Sequence, residues 1–169
     1  LIRRGEYSMV KALRVDERLI HGQVAMAWTR DLGIQGIMVA DDEAASNEMQ
    51  KMTLKMAVPD GIKCIIKTVP EIIALLNNPR SEGMRILVLV KTVKNALEVY
   101  KAVPGIEYVN IGNAGRFTSG DGTERTIISR SVSLTPDEVE ALKELAALAP
   151  DTALQMVPSD ENKRVAEVL

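Results

Sequence analysis

The stretch "VKALRVDERLIHGQVAMAWTRDLGIQGIMVAD", residues 10–41, contains two apolar runs separated by an amphipathic segment. The first run, VKALRV (10–15), and the second, GIMVAD (36–41), are rich in the residue types of buried strands. Between them, HGQVAMAWTRDL (21–32) carries apolar residues at three- and four-residue spacing, which is typical of a helix with one buried face. A strand, a helix and a second strand in this order predict a parallel βαβ unit.

The same alternation continues along the rest of the chain. Further apolar runs predict strands at 62–67, 85–91, 108–112 and 153–157, and further amphipathic segments predict helices at 46–57, 69–78, 92–103 and 135–148. The segment between these last strands, 113–134, has a Gly- and Ser-rich middle and then an alternating stretch, so it predicts one antiparallel addition. We therefore expect an α/β fold: a three-layer, mostly parallel sheet of about six to seven strands with helices on both faces.

Local patterns add more detailed predictions. Thr135 is placed to cap the helix that follows it, with Glu138 completing a capping box. Trp28 should pack in the core, and SDENKRVAEVL (159–169) predicts a terminal helix that Ser159 or Asp160 could cap. A stripe of methionines at helical spacing predicts core filling: Met49, Met52 and Met56.

Length and composition limit the classes of protein to consider. At 169 residues the chain has the usual size of one domain, which we place at residues 9–169, with residues 1–8 a tag or an N-terminal extension. Lys and Arg total 21 against 23 Asp and Glu, so there is no excess of positive charge to bind nucleic acid. No apolar run approaches the roughly 18 residues that cross a bilayer. The single cysteine, Cys64, fits a reducing compartment, and we expect a cytoplasmic protein.

The only histidine, His21, is the first candidate for chemistry. Taken alone, a histidine beside apolar residues is more often a packed side chain than a catalyst. Here it follows the first predicted strand by six residues and directly precedes Gly22 and Gln23 at the start of a predicted helix. The first N–H groups of a helix lack intrahelical acceptors and lie at the positive end of its dipole, so they favour a bound anion such as phosphate.

Two arginines lie close to this histidine in the sequence. Guanidinium groups bind phosphate bidentately and stay charged, so Arg14 and Arg18 could both point at one tetrahedral anion. The alternative for Arg18 is a surface salt bridge with Asp16 or Glu17. A neutral imidazole can attack through one nitrogen while the other donates to Asp16 or to a backbone carbonyl. The histidine, the two arginines and the N–H groups of the helix together predict a phosphoryl-acceptor site that needs no metal and no cofactor.

These residues also carry a family resemblance. RVDERLIHGQV (14–24), with Trp28 shortly after it, resembles the active-site segment of component IIB of the mannose/fructose/sorbose family of the bacterial phosphoenolpyruvate-dependent sugar phosphotransferase system. The resemblance covers roughly residues 9–169. Supporting segments occur in the family order: DDEAASNEMQKMTLKMAVP (41–59), NIGNAG (110–115), SVSLTPDEV (131–139) and QMVPSD (155–160).

The resemblance implies a cytoplasmic phosphocarrier, a protein-N(π)-phosphohistidine–sugar phosphotransferase. It would accept a phosphoryl group from phospho-IIA on Nδ1 of His21 and pass it to a sugar held by the membrane components IIC and IID. Sugars of the mannose, fructose, sorbose and N-acetylgalactosamine class are implied. By the same resemblance Arg18 stabilises the transferring group, and Arg14 and Asp16 match other motif positions. A subunit that is peripheral to the transporter and pairs as a homodimer is also implied.

A first alternative is a receiver-like regulatory domain phosphorylated on Asp41 or Asp42. Such sites combine acidic Mg²⁺ ligands with a lysine, and Lys91 and Thr92 end another predicted strand. Paired acids at a strand end also cap helices, and the sequence favours that interpretation, with Ser46 nearby.

A second alternative is a non-catalytic nucleotide-binding module that uses GNAG (112–115). One GxxG after a strand is weak evidence, because such glycines usually serve only to turn the chain. The absence of an obvious helix directly after this turn also counts against a phosphate-binding loop.

Overall fold

A seven-stranded sheet lies at the centre of the molecule, in a computed structural model that describes residues 9–115 and 122–169. The strands of the described residues are β1 (Val10–Asp16), β2 (Gly36–Ala40), β3 (Lys63–Lys67), β4 (Ile86–Val90), β5 (Val109–Asn113), β6 (Thr126–Ser129), β7 (Val132–Leu134), β8 (Ala153–Leu154) and β9 (Lys163–Arg164). The α-helices are α1 (Gly22–Leu32), α2 (Asp42–Ala45), α3 (Glu48–Met56), α4 (Val69–Leu76), α5 (Val93–Ala102) and α6 (Pro136–Leu148). Every helix in this part of the chain is too short or too polar to span a bilayer.

The sheet has the strand order β3-β2-β4-β1-β5-β8-β9. All neighbouring strands are parallel except β8 and β9, which are antiparallel. The central strand β1 pairs with both β4 and β5, so that Leu13 lies opposite Val88 on one side and Val109 on the other. The predicted mostly parallel α/β sheet is therefore confirmed.

Two apolar layers hold helices against the two faces of the sheet. One layer joins α4, α5 and α6 to the sheet through Ile72, Val99 and Leu142. The other joins α1 and α3 through Trp28 and Leu54. The predicted packing of Trp28 in the core is confirmed, since it is buried in the second layer.

The crossovers place the end of β1 at a junction between these layers. Helix α1 follows β1 on one face, whereas α5 and α6 follow the neighbouring strands β4 and β5 on the other face. In open parallel sheets such a switch of faces opens a crevice at the carboxyl ends of the strands, where ligands bind. Residues directly after β1 therefore lie where a functional site is expected.

The predicted antiparallel addition is a hairpin of β6 and β7. It adjoins the main sheet through a parallel bridge between Ala114 and Val132. Residues 116–121 of the predicted loop, like the predicted extension 1–8, lie outside the described residues.

The predicted terminal helix at 159–169 is wrong. Strand β9 pairs there with β8, and a short 3-10 helix follows at Val165–Glu167. The first six residues of the segment, SDENKR, have no apolar side chain to bury, so a helix through them would gain no packing energy. The chain instead buries Val165 fully, and Ser159 and Asp160 cap no helix. The last predicted strand, 153–157, is also shorter and ends at Leu154.

The predicted burial of the methionine stripe is wrong as well. Met49, Met52 and Met56 are 79%, 65% and 82% exposed, and Leu54 is the one buried side chain of α3. Successive helical residues are about 100° apart, so Leu54 points almost opposite to Met52. The apolar stripe therefore faces solvent because the helix packs through its narrower side.

The predicted cap of α6 is present, but its capping box is not. Thr135 accepts a hydrogen bond from the N–H of Glu138 and caps α6 as predicted. The carboxylate of Glu138, however, completes no capping box, because it accepts from the N–H of Val93 at the start of α5. It therefore links the two helices. A capping box does occur at α4, between Thr68 and Glu71.

Candidate active site

His21 lies between the loop that follows β1 and the first turn of α1. Two buried side chains, Leu19 and Ile20, fix the preceding chain to the core, and the imidazole itself is exposed. Leu19 has φ +60°, the single positive φ of a non-glycine residue in the described ranges. A left-handed leucine is strained, and such strain persists where surrounding structure enforces it, often at functional sites. The loop is thus held so that His21 reaches the surface.

Helix α1 begins without a side-chain cap. The N-cap residue is His21, in extended conformation, and its imidazole accepts no capping hydrogen bond. All other α-helices in the described residues start with a capping Asp, Asn or Thr. The first turn of α1 also has no acidic residue. The N–H groups of Gly22 and Gln23 therefore lie at a helix end that no carboxylate neutralises, as an anion site requires.

Asp16 joins the two predicted arginines. Its carboxylate is fully buried and accepts from Nη2 of Arg14 at 3.1 Å. The same carboxylate accepts from Nε and Nη2 of Arg18, both at 3.1 Å, and from the backbone N–H of Arg18 at 3.0 Å. Asp16 therefore fixes both the turn and the direction of the Arg18 side chain.

The two arginines differ in their access to solvent. The side chain of Arg18 is 24% exposed, whereas that of Arg14 is 2% exposed. Nη1 of Arg14 donates to Oδ1 of Asn110 and, at 3.1 Å, to the carbonyl of Gln155. The sequence suggested that both guanidinium groups could point at one anion, but in the structure only Arg18 of the pair reaches the surface.

Burial shifts the pKa values of two groups in this network, in each case against the charged form of the group. Desolvation lowers the pKa of the Arg14 guanidinium, and the neighbouring Asp16 carboxylate opposes that effect. Desolvation also raises the pKa of the Tyr108 hydroxyl, which donates to Gln155 Oε1 at 2.8 Å. Arginine remains charged even when its pKa falls. Asp16 therefore stays between two cations.

Met156, in the segment after β8, contacts both arginines and Trp28. The Met156 sulfur lies 3.7 Å from Nη2 of Arg14 and 3.6 Å from Nη2 of Arg18, and the Met156 carbonyl accepts from Trp28 Nε1 at 3.0 Å. The Trp28 ring lies 5.5 Å from the Arg14 guanidinium carbon. These contacts hold both guanidinium groups in place, with the ring of Trp28 adding a cation–π attraction for Arg14.

The network also contains Asn110, Gln155 and Tyr108, which were not among the residues predicted from the sequence. One signal was present: Asn110 is a polar residue inside an otherwise apolar strand, and a buried polar group needs a partner. Nothing in the sequence indicated which partner, because the contacting residues are far apart in the chain.

Comparison with known proteins identifies the family to which this chain belongs. The sequence profile of the PTS system sorbose subfamily IIB component matches residues 10–169. The chain belongs to this IIB family of the sugar phosphotransferase system. It is therefore a phosphotransferase component that takes a phosphoryl group from a IIA component and delivers it to sugar during import.

Individual relatives of this IIB component agree over nearly the whole chain. A probable phosphotransferase enzyme IIB component of Streptococcus pyogenes serotype M6 is 43% identical, over 95% of this chain and 99% of the relative. The sorbose-specific EIIB component of Lacticaseibacillus casei is 32% identical, over 93% of each chain. The crystal structure of the IIBSor domain of the sorbose permease from Klebsiella pneumoniae superposes with a TM-score of 0.84 at 26% identity, over 94% of each chain.

The glycines of GNAG have structural roles in this IIB component. A Cβ on Gly112 would overlap the guanidinium of Arg14, so glycine is required for that close approach. Gly115 has φ +77°, and a Cβ there would overlap the carbonyl oxygen of Ser133. Family membership and these packing roles disfavour the nucleotide-binding alternative.

The acids considered for a receiver-like site cap helices in this IIB component, as the sequence favoured. Asp41 accepts from the N–H of Ala44 at 2.9 Å and caps α2. Asp42 accepts from the N–H of Val69 at the start of α4. Lys91 pairs with Glu43 at 3.7 Å. These contacts, with the family, disfavour phosphorylation on aspartate.

Proposed function

We propose that His21 carries the phosphoryl group of this IIB component. The P–N bond of the donor phosphohistidine on IIA breaks as a P–N bond to Nδ1 of His21 forms. In the second step that bond breaks as a P–O bond to a sugar hydroxyl forms; its electron pair returns to Nδ1 and the hydroxyl proton passes to solvent. The observation that carries the proposal is an exposed histidine at the start of a helix that has no side-chain cap.

Phosphoryl transfer needs in-line approach and charge stabilisation more than covalent help. Arg18 supplies the accessible positive charge, since it is the partly exposed guanidinium of the pair. The N–H groups of Gly22 and Gln23 supply further donors. Asp16 and Arg14 act as positioning residues, because they contact Arg18 or each other and are buried.

The same exposed surface meets two partners in turn. IIA presents its phosphohistidine to His21, and the phosphorylated subunit then reaches a sugar held by IIC and IID. We place the subunit at the cytoplasmic face of the membrane, peripheral to those components. A single domain over residues 9–169 and a homodimer stay predictions.

Replacement of His21 by alanine tests the central assignment. Incubated with phospho-IIA and the phosphoryl-donating enzymes, the parent chain should take up label that survives alkali and is lost in acid, whereas His21→Ala should take up none. Because His21 is exposed, the variant should unfold at the parent urea midpoint. Label that still enters the folded variant would refute the assignment.

Replacement of Arg18 separates charge from geometry. We expect Arg18→Ala to slow phosphoryl uptake by about 10²–10³-fold, as for loss of one transition-state donor, and Arg18→Lys to recover only part of that rate because lysine lacks the bidentate fork. Rapid-quench kinetics would measure both. Transfer at the parent rate in Arg18→Ala would exclude the charge role.

A further inference from the structure

Helix α3 exposes an apolar surface that the described residues leave uncovered. Met49, Met52 and Met56 are 79%, 65% and 82% exposed. No other element in the described ranges exposes more than one large hydrophobic side chain. Exposed hydrophobic residues that are scattered singly need no explanation, whereas a contiguous group on one element indicates a contact with another molecule.

The three methionines form one continuous stripe along the helix. Successive helical residues are about 100° apart, so these three side chains lie within about 60° of one another, at the spacing with which two helices pack together. Leu54 points the other way and fixes α3 to the sheet. Asn47 caps the helix by accepting from the N–H of Gln50 at 3.0 Å. The methionine stripe is therefore presented by a helix that is already formed and anchored.

Two charged side chains adjoin the stripe on one side, at opposite ends of the helix. Glu48 and Lys55 are seven residues apart, so they lie within about 20° of each other around the helix axis, and both are exposed. Glu48 is 88% exposed in its side chain and pairs with Lys51 at 3.2 Å. A solvated pair of this kind is weak and leaves the carboxylate able to accept from a second cation.

The stripe is complementary to a second copy of itself. When two such helices pack antiparallel about a two-fold axis, the axis passes near Met52, and the Glu48 end of each helix lies against the Lys55 end of the other. Glu48 then faces Lys55 of the partner subunit, and this pair occurs twice in each dimer. Antiparallel helices also bring opposite ends of their dipoles together. A parallel pairing would instead place both glutamates at one end and both lysines at the other.

A surface of uniform charge does not match this pattern. An anionic bilayer would attract Lys55 but repel Glu48 at the other end of the stripe. Methionine side chains are unbranched and adapt their shape, so two stripes can pack against each other without a preformed pocket. The second copy is favoured because the described residues of the chain themselves supply the complementary surface.

The length of the helix limits the strength of this contact. Nine residues of 1.5 Å rise span only about 14 Å. So short a contact buries less than the roughly 1,200 Å² of a standard stable interface, which predicts a reversible dimer with a dissociation constant of about 100 µM. At chain concentrations of about 5 µM the monomer therefore predominates, and the stripe lies in solvent.

We propose that α3 is a homodimer interface, in which two methionine stripes pack antiparallel with Glu48 of each subunit against Lys55 of the partner subunit. The contact leaves the surface around His21 open, because α3 follows β2, His21 follows β1, and β4 lies between these two strands in the sheet. Dimer formation does not depend on phosphoryl transfer, so His21→Ala should dimerise like the parent.

Sedimentation of the full chain from about 5 µM to about 1 mM tests the apolar part of the contact. The average mass should rise from 18.5 kDa toward twice that value. Met52→Gln should weaken the dimer at least about tenfold, because each dimer loses two buried methionines, while the helix propensity stays similar. The matched control is Ile127→Gln on β6, which is 79% exposed and outside the stripe, and which should dimerise like the parent.

Charge reversal tests the antiparallel arrangement. Glu48→Lys and Lys55→Glu should each weaken the dimer about fivefold, since both replace two attractive pairs by repulsive ones. The double variant that carries both substitutions restores opposite charges at both ends and should return to within about twofold of the parent. Lys143→Glu on α6, where Lys143 pairs with Glu140 at 3.4 Å, is the control for charge alone and should have no effect.

Three results would overturn the proposal. The first is a chain that stays monomeric up to 1 mM, and the second is a dimer that Met52→Gln and Ile127→Gln affect equally. The third is a double variant no tighter than its single variants, which would exclude the pairing of Glu48 with Lys55 of the partner subunit. Since none of these results involves phosphoryl uptake, a failure here leaves the role of His21 intact, and loss of that role leaves the dimer intact.

Discussion

At the scale of single residues, the site depends on the carboxylate of Asp16. It is fully buried between two guanidinium groups and accepts four hydrogen bonds from Arg14 and Arg18. A buried ion network gives modest net stability while it is complete, but removing one partner leaves a charge that is poorly compensated. The two arginines should therefore differ in what their loss does.

Arg14→Met should lower the free energy of unfolding by about 3–5 kcal/mol, because it leaves Asp16 with only one, partly exposed, partner. Arg18→Ala should lower it by much less, since the lost pair is partly solvated. Urea unfolding of both variants beside the parent measures the difference. Equal small losses would show that Arg14 is not the structural member of the pair.

This difference could not be predicted from the sequence. Arg14 and Arg18 stand in the same short motif, and either could bind an anion. The partners that bury Arg14, Asn110 and the Gln155 carbonyl, lie 96 and 141 residues away in the chain. Local chemistry thus predicted the cluster and the exposed position of the histidine at a helix start, but long-range contacts decide which of the two arginines is buried.

At the scale of elements, α3 shows what periodicity can and cannot predict. The spacing of its methionines correctly indicated a helix, because three residues at that spacing share one face. Periodicity does not say which face the rest of the molecule covers. Leu54 alone anchors α3 to the sheet, and the methionine stripe remains in solvent.

Replacing Met49, Met52 and Met56 together by glutamine should leave the free energy of unfolding within about 0.5 kcal/mol per substitution of the parent value, since exposed positions contribute little and the two residues have similar helix propensities. Leu54→Ala, the buried control on the same helix, should cost about 2–5 kcal/mol. Chemical denaturation compares them. A triple variant as unstable as Leu54→Ala would mean that the stripe is covered in solution.

At the scale of the whole molecule, the alternation of apolar runs and amphipathic segments was sufficient to predict a parallel sheet with helices on both faces. Crossover connections between parallel strands need a helix-length segment, so the pattern leaves few other folds. The error at 159–169 arose because its apolar residues cluster at the end, where Val165 is buried beside a two-residue strand. So short a pairing has no periodicity of its own.

Stability of the whole chain should also respond to pH through Glu138, which joins α5 to α6. Desolvation raises the pKa of this carboxyl above its ordinary value, although the N–H of Val93 favours the charged form. Between the ordinary and the raised value the native state holds more protons than the unfolded state, so the free energy of unfolding falls as pH rises through that window.

Glu138→Gln removes the titration and keeps an oxygen for the N–H of Val93. The difference in unfolding free energy between parent and variant should therefore change across the mildly acidic range in the direction that favours the parent at lower pH. Urea unfolding at a series of pH values gives this difference, and a flat difference would contradict the raised pKa.

The absence of a side-chain cap on α1 affects how strongly the subunit can hold a phosphoryl group on His21. Interaction of an anion with a helix end is worth only about 0.3–1 kcal/mol at an exposed site, and each 1.4 kcal/mol changes an equilibrium tenfold. A phosphoryl group on His21 would thus gain enough to steady the first turn of α1, yet too little to become trapped there. Weak retention at the helix end therefore adds little to the barrier for either transfer, as suits a group that is taken from one protein and passed on to another molecule.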